Sequence, residues 1–141
     1  MKVREIMVTE VVTLHVDEEL SLASDIMNLA RIRHLPIVEG ERLVGIISQR
    51  DLFRASLASV MGYGYAETRD HLKTVSIRDA MVKNVITVTP DTDIVEAGRM
   101  MLDRKFGCLP VVEDDRLVGM VTETDILRCF LIHYEDCVAD D

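Results

Sequence analysis

Two stretches of this sequence carry groups that could do chemistry together: Gly45-Ile46-Ile47-Ser48-Gln49-Arg50-Asp51 and Gly119-Met120-Val121-Thr122-Glu123-Thr124-Asp125. In each, an apolar run ends at a hydroxyl, and a carboxylate follows three residues on. Two chemistries fit. Ser/Thr-x-x-Asp opening a helix is capping-box spacing, in which hydroxyl and carboxylate satisfy the first backbone N–H groups without any ligand. The same helix start presents N–H groups and a hydroxyl to a phosphate, while the carboxylate can accept from a ribose diol. Local geometry alone favours the cap, because capping asks for nothing beyond the turn itself.

Other reactive residues are fewer. Cys129, His133 and Cys137 recur every four residues on one predicted helix and invite a metal reading. At about 1.5 Å rise per residue the outer two lie about 12 Å apart, too far to share one zinc, so only a pair could ligate with help from elsewhere. Ordinary helix residues are the expectation, with no metal site. Cys108, beside Leu109-Pro110, reads as a small buried apolar residue. No Ser-His-Asp, Cys-His or paired-Glu arrangement clusters or repeats, and there is no Walker glycine loop or metal-ligand quartet. The expectation is a non-enzyme with no catalytic residues and no required cofactor.

What positions the two hydroxyl–carboxylate motifs is a repeat. A shift of 74 places lays residues 3–56 on 77–130 without a gap, with 18 identities in 54 positions. It superposes Arg4-Glu5-Ile6-Met7-Val8 on Arg78-Asp79-Ala80-Met81-Val82, Leu35-Pro36-Ile37-Val38-Glu39 on Leu109-Pro110-Val111-Val112-Glu113, and Arg42-Leu43-Val44-Gly45 on Arg116-Leu117-Val118-Gly119. The chain therefore divides into a first repeat at 1–56, a linker at 57–76, a second repeat at 77–134 and an acidic tail at 135–141. Self-similarity of this kind decides the fold before any single element does.

Within each copy the periods are readable. Leu20, Ala23, Ile26, Met27 and Ala30, and likewise Ile94, Ala97, Met101 and Leu102, predict an amphipathic helix, with Asp17 and Asp91 placed as its N-cap. Leu35 to Val38 and Leu43 to Ile47 predict an antiparallel hairpin around Glu39-Gly40-Glu41-Arg42; the second copy carries Asp114-Asp115 in its turn. A second helix starts near Gln49 and Glu123, bearing Leu52, Phe53 and Ala55 or Ile126, Leu127 and Phe130. A short strand at Val11 to Leu14, or Val85 to Val88, precedes the first helix. Ser76-x-x-Asp79 reads as one more capping box. In the linker, Met61-Gly62-Tyr63-Gly64-Tyr65 reads as a loop. The fold class expected is α+β: tandem β-α-β-β-α repeats, each with a helical turn before it, packed sheet to sheet with pseudo-two-fold symmetry. So small a unit buries little alone.

Composition narrows the partners. The 141 residues carry 16 Lys and Arg against 25 Asp and Glu, a formal charge of −9, with 48% hydrophobic residues, no Trp and eight Met. DNA affinity rests on clustered cations neutralising phosphate, so nucleic acid is disfavoured as a partner, while a small nucleotide in a local basic pocket is not. No window approaches the roughly 18 apolar residues of a membrane span, and Met1-Lys2-Val3-Arg4-Glu5 turns charged before any signal-peptide core forms. Three cysteines without framework spacing agree with a reducing compartment. No membrane association and a cytoplasmic location are expected.

A duplicated unit of this length, ending in Gly-apolar-apolar-Ser/Thr-x-x-Asp, with an apolar-Leu-Pro-apolar-Val strand before that and a Met-Val turn at its start, resembles the CBS domain (cystathionine-β-synthase-type) family. A CBS pair is called a Bateman module. The resemblance spans residues 3–56 and 77–130 and implies a stand-alone pair with two inter-repeat clefts for adenosine-containing ligands. It makes Asp51 and Asp125 ribose ligands, with Ser48 and Thr122 near the phosphate. Val11, Val12 and Thr13, and Val85, Ile86 and Thr87, then line the adenine pockets, together with Pro36-Ile37 and Pro110-Val111. Family members holding nucleotide phosphates often place basic residues before the Leu-Pro. The first copy has Arg31, Arg33 and His34 there; the second has Lys105, Phe106, Gly107 and Cys108. That difference implies one stronger phosphate site and one weaker or empty one.

The reading that results is a regulatory ligand-sensing module. It binds AMP, ADP, ATP or a relative such as S-adenosylmethionine as a regulatory ligand, relays a shape change to a regulated protein, and forms a homodimer. The alternative is a structural or protein-interaction module whose Ser48/Asp51 and Thr122/Asp125 are helix caps with no small-molecule ligand.

Overall fold

The computed structural model describes residues 1–56 and 70–139, with side chains as far as Glu135. Met61-Gly62-Tyr63-Gly64-Tyr65 and the side chain of Cys137 lie outside the described residues. A 3-10 turn at Val3–Glu5 is followed by β1 (Leu14–His15), α1 (Leu20–Ala30), β2 (His34–Glu39), β3 (Arg42–Ser48) and α2 (Gln49–Ala55). Then come α3 (Ile77–Ala80), α4 (Ile94–Arg104), β4 (Cys108–Glu113), β5 (Arg116–Thr122) and α5 (Glu123–Ala139). The class is mixed α+β, built on a tandem repeat.

The chain forms two compact units, one spanning Val12–Val85 and the other joining Met1–Val11 to Ile86–Asp141. In the first, β1 runs parallel to β2, with Leu14 opposite Ile37, and β2 pairs antiparallel with β3. The helices α1 and α2 pack on this hairpin. Leu20, Ala23 and Met27 of α1 meet Leu35, Ile37, Ile47 and Leu52 in one apolar cluster, as three- and four-residue spacing requires. The second unit repeats the plan. Its hairpin β4–β5 carries α4 and α5, and Ala97, Met101, Leu109, Val111 and Val121 form its core. Both hairpins shift register at the same place, after Ile37 and after Val111. In both, the first helix ends on a left-handed basic residue, Arg31 at φ 54° and Lys105 at φ 58°.

Each unit also holds the opening turn of the other sequence repeat. Val8 pairs antiparallel with Met120, its N–H donating to the Met120 carbonyl at 2.8 Å and its carbonyl accepting from the Met120 N–H at 2.9 Å. Val82 does the same with Ile46, at 2.9 and 3.1 Å. The glycine of each repeated motif is what lets this segment lie so close. A Cβ at Gly45 would stand 2.4 Å from Met81 Sδ and 3.0 Å from the Val82 carbonyl oxygen; one at Gly119 would stand 2.9 Å from both Met7 Sδ and the Val8 carbonyl oxygen.

Several local expectations are corrected. The residues capping the first helices are Glu19 and Asp93, not Asp17 and Asp91, and of the two only Asp93 uses its side chain, which accepts from Val95 N at 2.8 Å. Asp91 pairs instead with Arg4, and Asp17 lies 3.6 Å from His15. Both acids stand beside an arginine instead, Asp91 by Arg4 and Asp17 at 3.9 Å from Arg78. The early strands are shorter than expected: only Leu14–His15 forms in the first copy, and only the single bridge of Val88 to Val111 in the second. Ser76 caps α3 by accepting from Arg78 N, without the reciprocal bond from Asp79 expected of a box. On the second helices Leu52 is buried, whereas Phe53, Leu127 and Phe130 are exposed.

Candidate ligand site

Each hydroxyl–carboxylate motif forms where a strand meets a helix. β3 ends at Ser48, whose extended backbone (φ −100°, ψ 164°) turns the chain into α2. Asp51 Oδ2 accepts from the Ser48 N–H at 2.7 Å and from its hydroxyl at 2.9 Å, while Asp51 N–H donates back to Ser48 Oγ at 3.1 Å. Thr122 and Asp125 repeat the pattern at 2.8, 3.0 and 3.3 Å. Both are reciprocal capping boxes, so the carboxylates are held rigidly at the helix starts. They differ in surroundings: Asp125 is only 7% exposed and its Oδ1 lies 3.6 Å from Arg128, whereas Asp51 is half-buried.

The loop before the hairpin is tied to the same point. Gln49 N–H donates to the Arg33 carbonyl at 2.8 Å, and Glu123 N–H to the Gly107 carbonyl at 3.1 Å. His34 stands opposite Ser48 in the β2–β3 register, and Cys108 opposite Thr122. The residue heading the hairpin is thus the neighbour of the box in both units. In the first unit it is a half-buried imidazole, flanked by the exposed Arg33 and, two residues earlier, the exposed Arg31. In the second it is the buried Cys108, whose thiol is pushed up to about 12, chiefly by desolvation and further by the Glu123 carboxylate.

The remaining expected site residues are divided. Val12, Thr13, Arg33, His34, Pro36, Ile37, Ser48 and Asp51 share one compact unit, and Ile86, Thr87, Pro110, Val111, Thr122 and Asp125 share the other. Val11 falls in a different unit from Val12 and Thr13, as Val85 does from Ile86 and Thr87. Val12 and Thr13 are exposed, whereas Ile86 and Thr87 are half-buried. Pro36, Ile37, Pro110 and Val111 are fully buried, and Ile37 and Val111 belong to their units' cores. Sequence reasoning missed the contact of Gly45 with Met81-Val82 and of Gly119 with Met7-Val8; the signal was present, since each glycine recurs at the same repeat position. It also missed Met1, whose Sδ lies 3.5 Å from Cys129 Sγ. Cys129 is buried and His133 exposed. Among the described residues no three His, Cys, Asp or Glu side chains group closely enough to hold a metal.

Two like hairpins, each followed by a helix that opens on a hydroxyl–carboxylate box, define a tandem α+β repeat pair. The CBS domain family model matches residues 3–58 and 77–132, and the chain belongs to that family, carrying two CBS copies. It is 31% identical over 127 residues to a CBS domain-containing protein of Dictyostelium discoideum, covering 89% of this chain and 88% of that protein. Among solved structures it is similar to a Vibrio cholerae protein assigned to acetoin utilization, at 31% identity and a TM-score of 0.80, covering 100% of this chain and 97% of that one. It is also similar to the CBS domain pair of protein MJ0100, solved in complex with 5′-methylthioadenosine and S-adenosyl-L-methionine, at 32% identity and a TM-score of 0.76, covering 92% and 99%. Other relatives are far longer: the chain spans 23% of an inosine-5′-monophosphate dehydrogenase of Methanocaldococcus jannaschii at 32% identity. No helix among the described residues is long and apolar enough to cross a membrane.

Proposed function

We propose that this CBS pair is a non-catalytic regulatory module that binds an adenosine-containing ligand and relays the resulting change of shape to a protein partner. The observation that carries the reading is the duplicated box, which fixes a carboxylate at a helix start in both copies, where a ribose diol can donate to it and the helix N-terminus favours a phosphate. The adenosyl ligands of the MJ0100 domain pair support that ligand class. Ser48, Asp51, Thr122 and Asp125 would contact ribose and phosphate. Arg33 and His34 would make the first copy the better phosphate site, leaving Gly107 and Cys108 to suit an uncharged or cationic adenosyl group in the second.

The exposed Phe53, Leu127, Phe130 and Leu131 suit a homodimer contact, and the charge of −9 argues against a nucleic-acid partner. A cytoplasmic location fits the reducing habit of the three cysteines.

A ligand bound to the native state raises the melting temperature. Screening AMP, ADP, ATP, 5′-methylthioadenosine and S-adenosylmethionine should give a shift for at least one. Asp51→Asn, which keeps an oxygen for the Ser48 N–H, should reduce the nucleotide response by about tenfold in affinity, the usual worth of a charged hydrogen bond. No shift with any compound, or an Asp51→Asn response equal to that of the unaltered protein, would overturn the sensing role. One observation favours the alternative, a protein-interaction module: each box is already closed on itself, with Oδ2 accepting twice. The same screen decides between them.

A further inference from the structure

The second unit carries a cluster that its repeat partner lacks. Cys129 sits on α5, 8% exposed, with its Sγ 3.5 Å from the thioether sulfur of Met1. Met1 is anchored rather than loose, because its carbonyl accepts from Ile94 N–H at 3.1 Å and Lys2 bridges to Asp93. His133 follows Cys129 by one helical turn, and four-residue spacing puts the two side chains on one face, the arrangement by which helices present paired metal ligands. Met1, Cys129 and His133 all line one open hollow of about 380 Å³, whose rim also carries Glu5, Asp125 and Arg128.

Packing alone does not call for these residue types. A shift of 74 places sets Val75 and Ala55, both in the Val12–Val85 unit, at the positions of Met1 and Cys129, and both are plain aliphatic residues that pack against that unit's core. The other unit has sulfur at both. Two sulfurs bound to one ion at about 2.3 Å and a tetrahedral angle would stand about 3.8 Å apart, so the observed 3.5 Å needs only a small opening.

We propose that Met1, Cys129 and His133 form a binding site for a soft monovalent metal ion, Cu(I) by its chemistry. A thiolate, a thioether and an imidazole are a donor set that selects Cu(I) over Zn(II), Mg(II) or Mn(II). The described residues offer no third His, Cys, Asp or Glu to complete a harder site. Binding is a simple exchange: the thiol proton of Cys129 leaves to solvent as the Cu–S bond forms, and neither partner is oxidised or reduced. The site does not depend on the nucleotide reading, and no adenosyl ligand is needed to test it.

The test is an anaerobic titration of the full chain with Cu(I) against a chromogenic Cu(I) chelator, repeated with Ag(I) as a redox-inert probe. One Cu(I) per chain is expected, with copper absorption spectra fitted by two sulfur neighbours and one nitrogen. Cys129→Ser should weaken binding at least a hundredfold and His133→Asn about tenfold, while Cys137→Ser should change nothing. His133 is exposed, so its variant reports even if Cys129→Ser disturbs folding. Affinity unchanged in His133→Asn, loss of binding in Cys137→Ser, or tighter binding of Zn(II) than of Cu(I) would each overturn the proposal.

Discussion

The two units are built on one skeleton and differ in what they place at its corners. The hairpin register, the bulge position, the left-handed residue after the first helix and the hydroxyl–carboxylate box all recur. At the head of the hairpin, the Val12–Val85 unit sets His34 beside two exposed arginines, and the other unit sets a buried thiol beside a glycine. The box carboxylate is half-open in the first and closed in the second, where Arg128 faces it. The two copies therefore share what the backbone needs and differ in the side chains set around it. Caps, turns and close contacts are fixed by local geometry common to both copies, whereas the side chains at the head of the hairpin are under no such constraint.

The largest effect that should separate the units comes from the repeated glycines. A Cβ at either position meets a backbone oxygen, at 2.9 Å for Gly119→Ala and 3.0 Å for Gly45→Ala, but only at Gly45 is a flexible methionine end the worse of the two clashes. Overpacking of this kind costs about 1–3 kcal/mol, with Gly119→Ala at the upper end. Adding Met81→Ala should recover a larger part of the Gly45→Ala loss in urea denaturation than Met7→Ala recovers of the Gly119→Ala loss. Equal rescue in both units would show that the backbone contact matters less than the sulfur.

A smaller effect tests whether the boxes are equivalent. Ser48→Ala and Thr122→Ala each remove one cap acceptor and should cost about 1 kcal/mol. Thr122→Ala should be the costlier, since it leaves the more buried Asp125 short of a donor. Identical losses in thermal unfolding would erase that distinction.

A third effect is one of pH and shows only on the alkaline side. The folded-state value of Cys108 lies near 12, above its ordinary value of 9.0. The native chain therefore holds this proton where the unfolded chain releases it. The stability it contributes is whole below about pH 9 and declines as pH rises from 9 toward 12. Cys108→Ala should flatten that alkaline decline, and His34→Ala, at the matching position, should not. If the Cys108→Ala curve keeps the slope, the thiol is not its source.

Much of this architecture is legible from residue order. The three- and four-residue spacing of Leu20, Ala23 and Met27 gave the face that α1 buries, and the apolar runs around Glu39-Gly40-Glu41-Arg42 gave a hairpin with its turn correctly placed. The box at Ser48 and Asp51 was equally readable, because an N-cap and its N3 acid interact over three residues. Misreadings fell where a residue had competing partners. Asp91 was expected at a helix start but is drawn to Arg4, 87 residues away in the chain. Residue order named Phe53 and Phe130 on the second helices without saying which way they face, and both are exposed, since apolar content alone does not say how wide the buried stripe is.

Residue order by itself determined the repeat, its elements and the family to which both copies belong, all of which rest on contacts a few residues apart or on the direct match of one copy to the other. Only the tertiary structure decided which hairpin each opening segment joins. Met7-Val8 and Met81-Val82 are the same dipeptide, and Gly45-Ile46 and Gly119-Met120 offer nearly the same strand edge. Pairing within a copy and pairing across copies thus bring almost identical residues together, and no pairwise preference separates them. The choice belongs to the path of the whole chain, and it set Met7 against Gly119 and Met81 against Gly45. The same path brought Met1 to Cys129, a neighbour 128 residues distant that no local pattern announces.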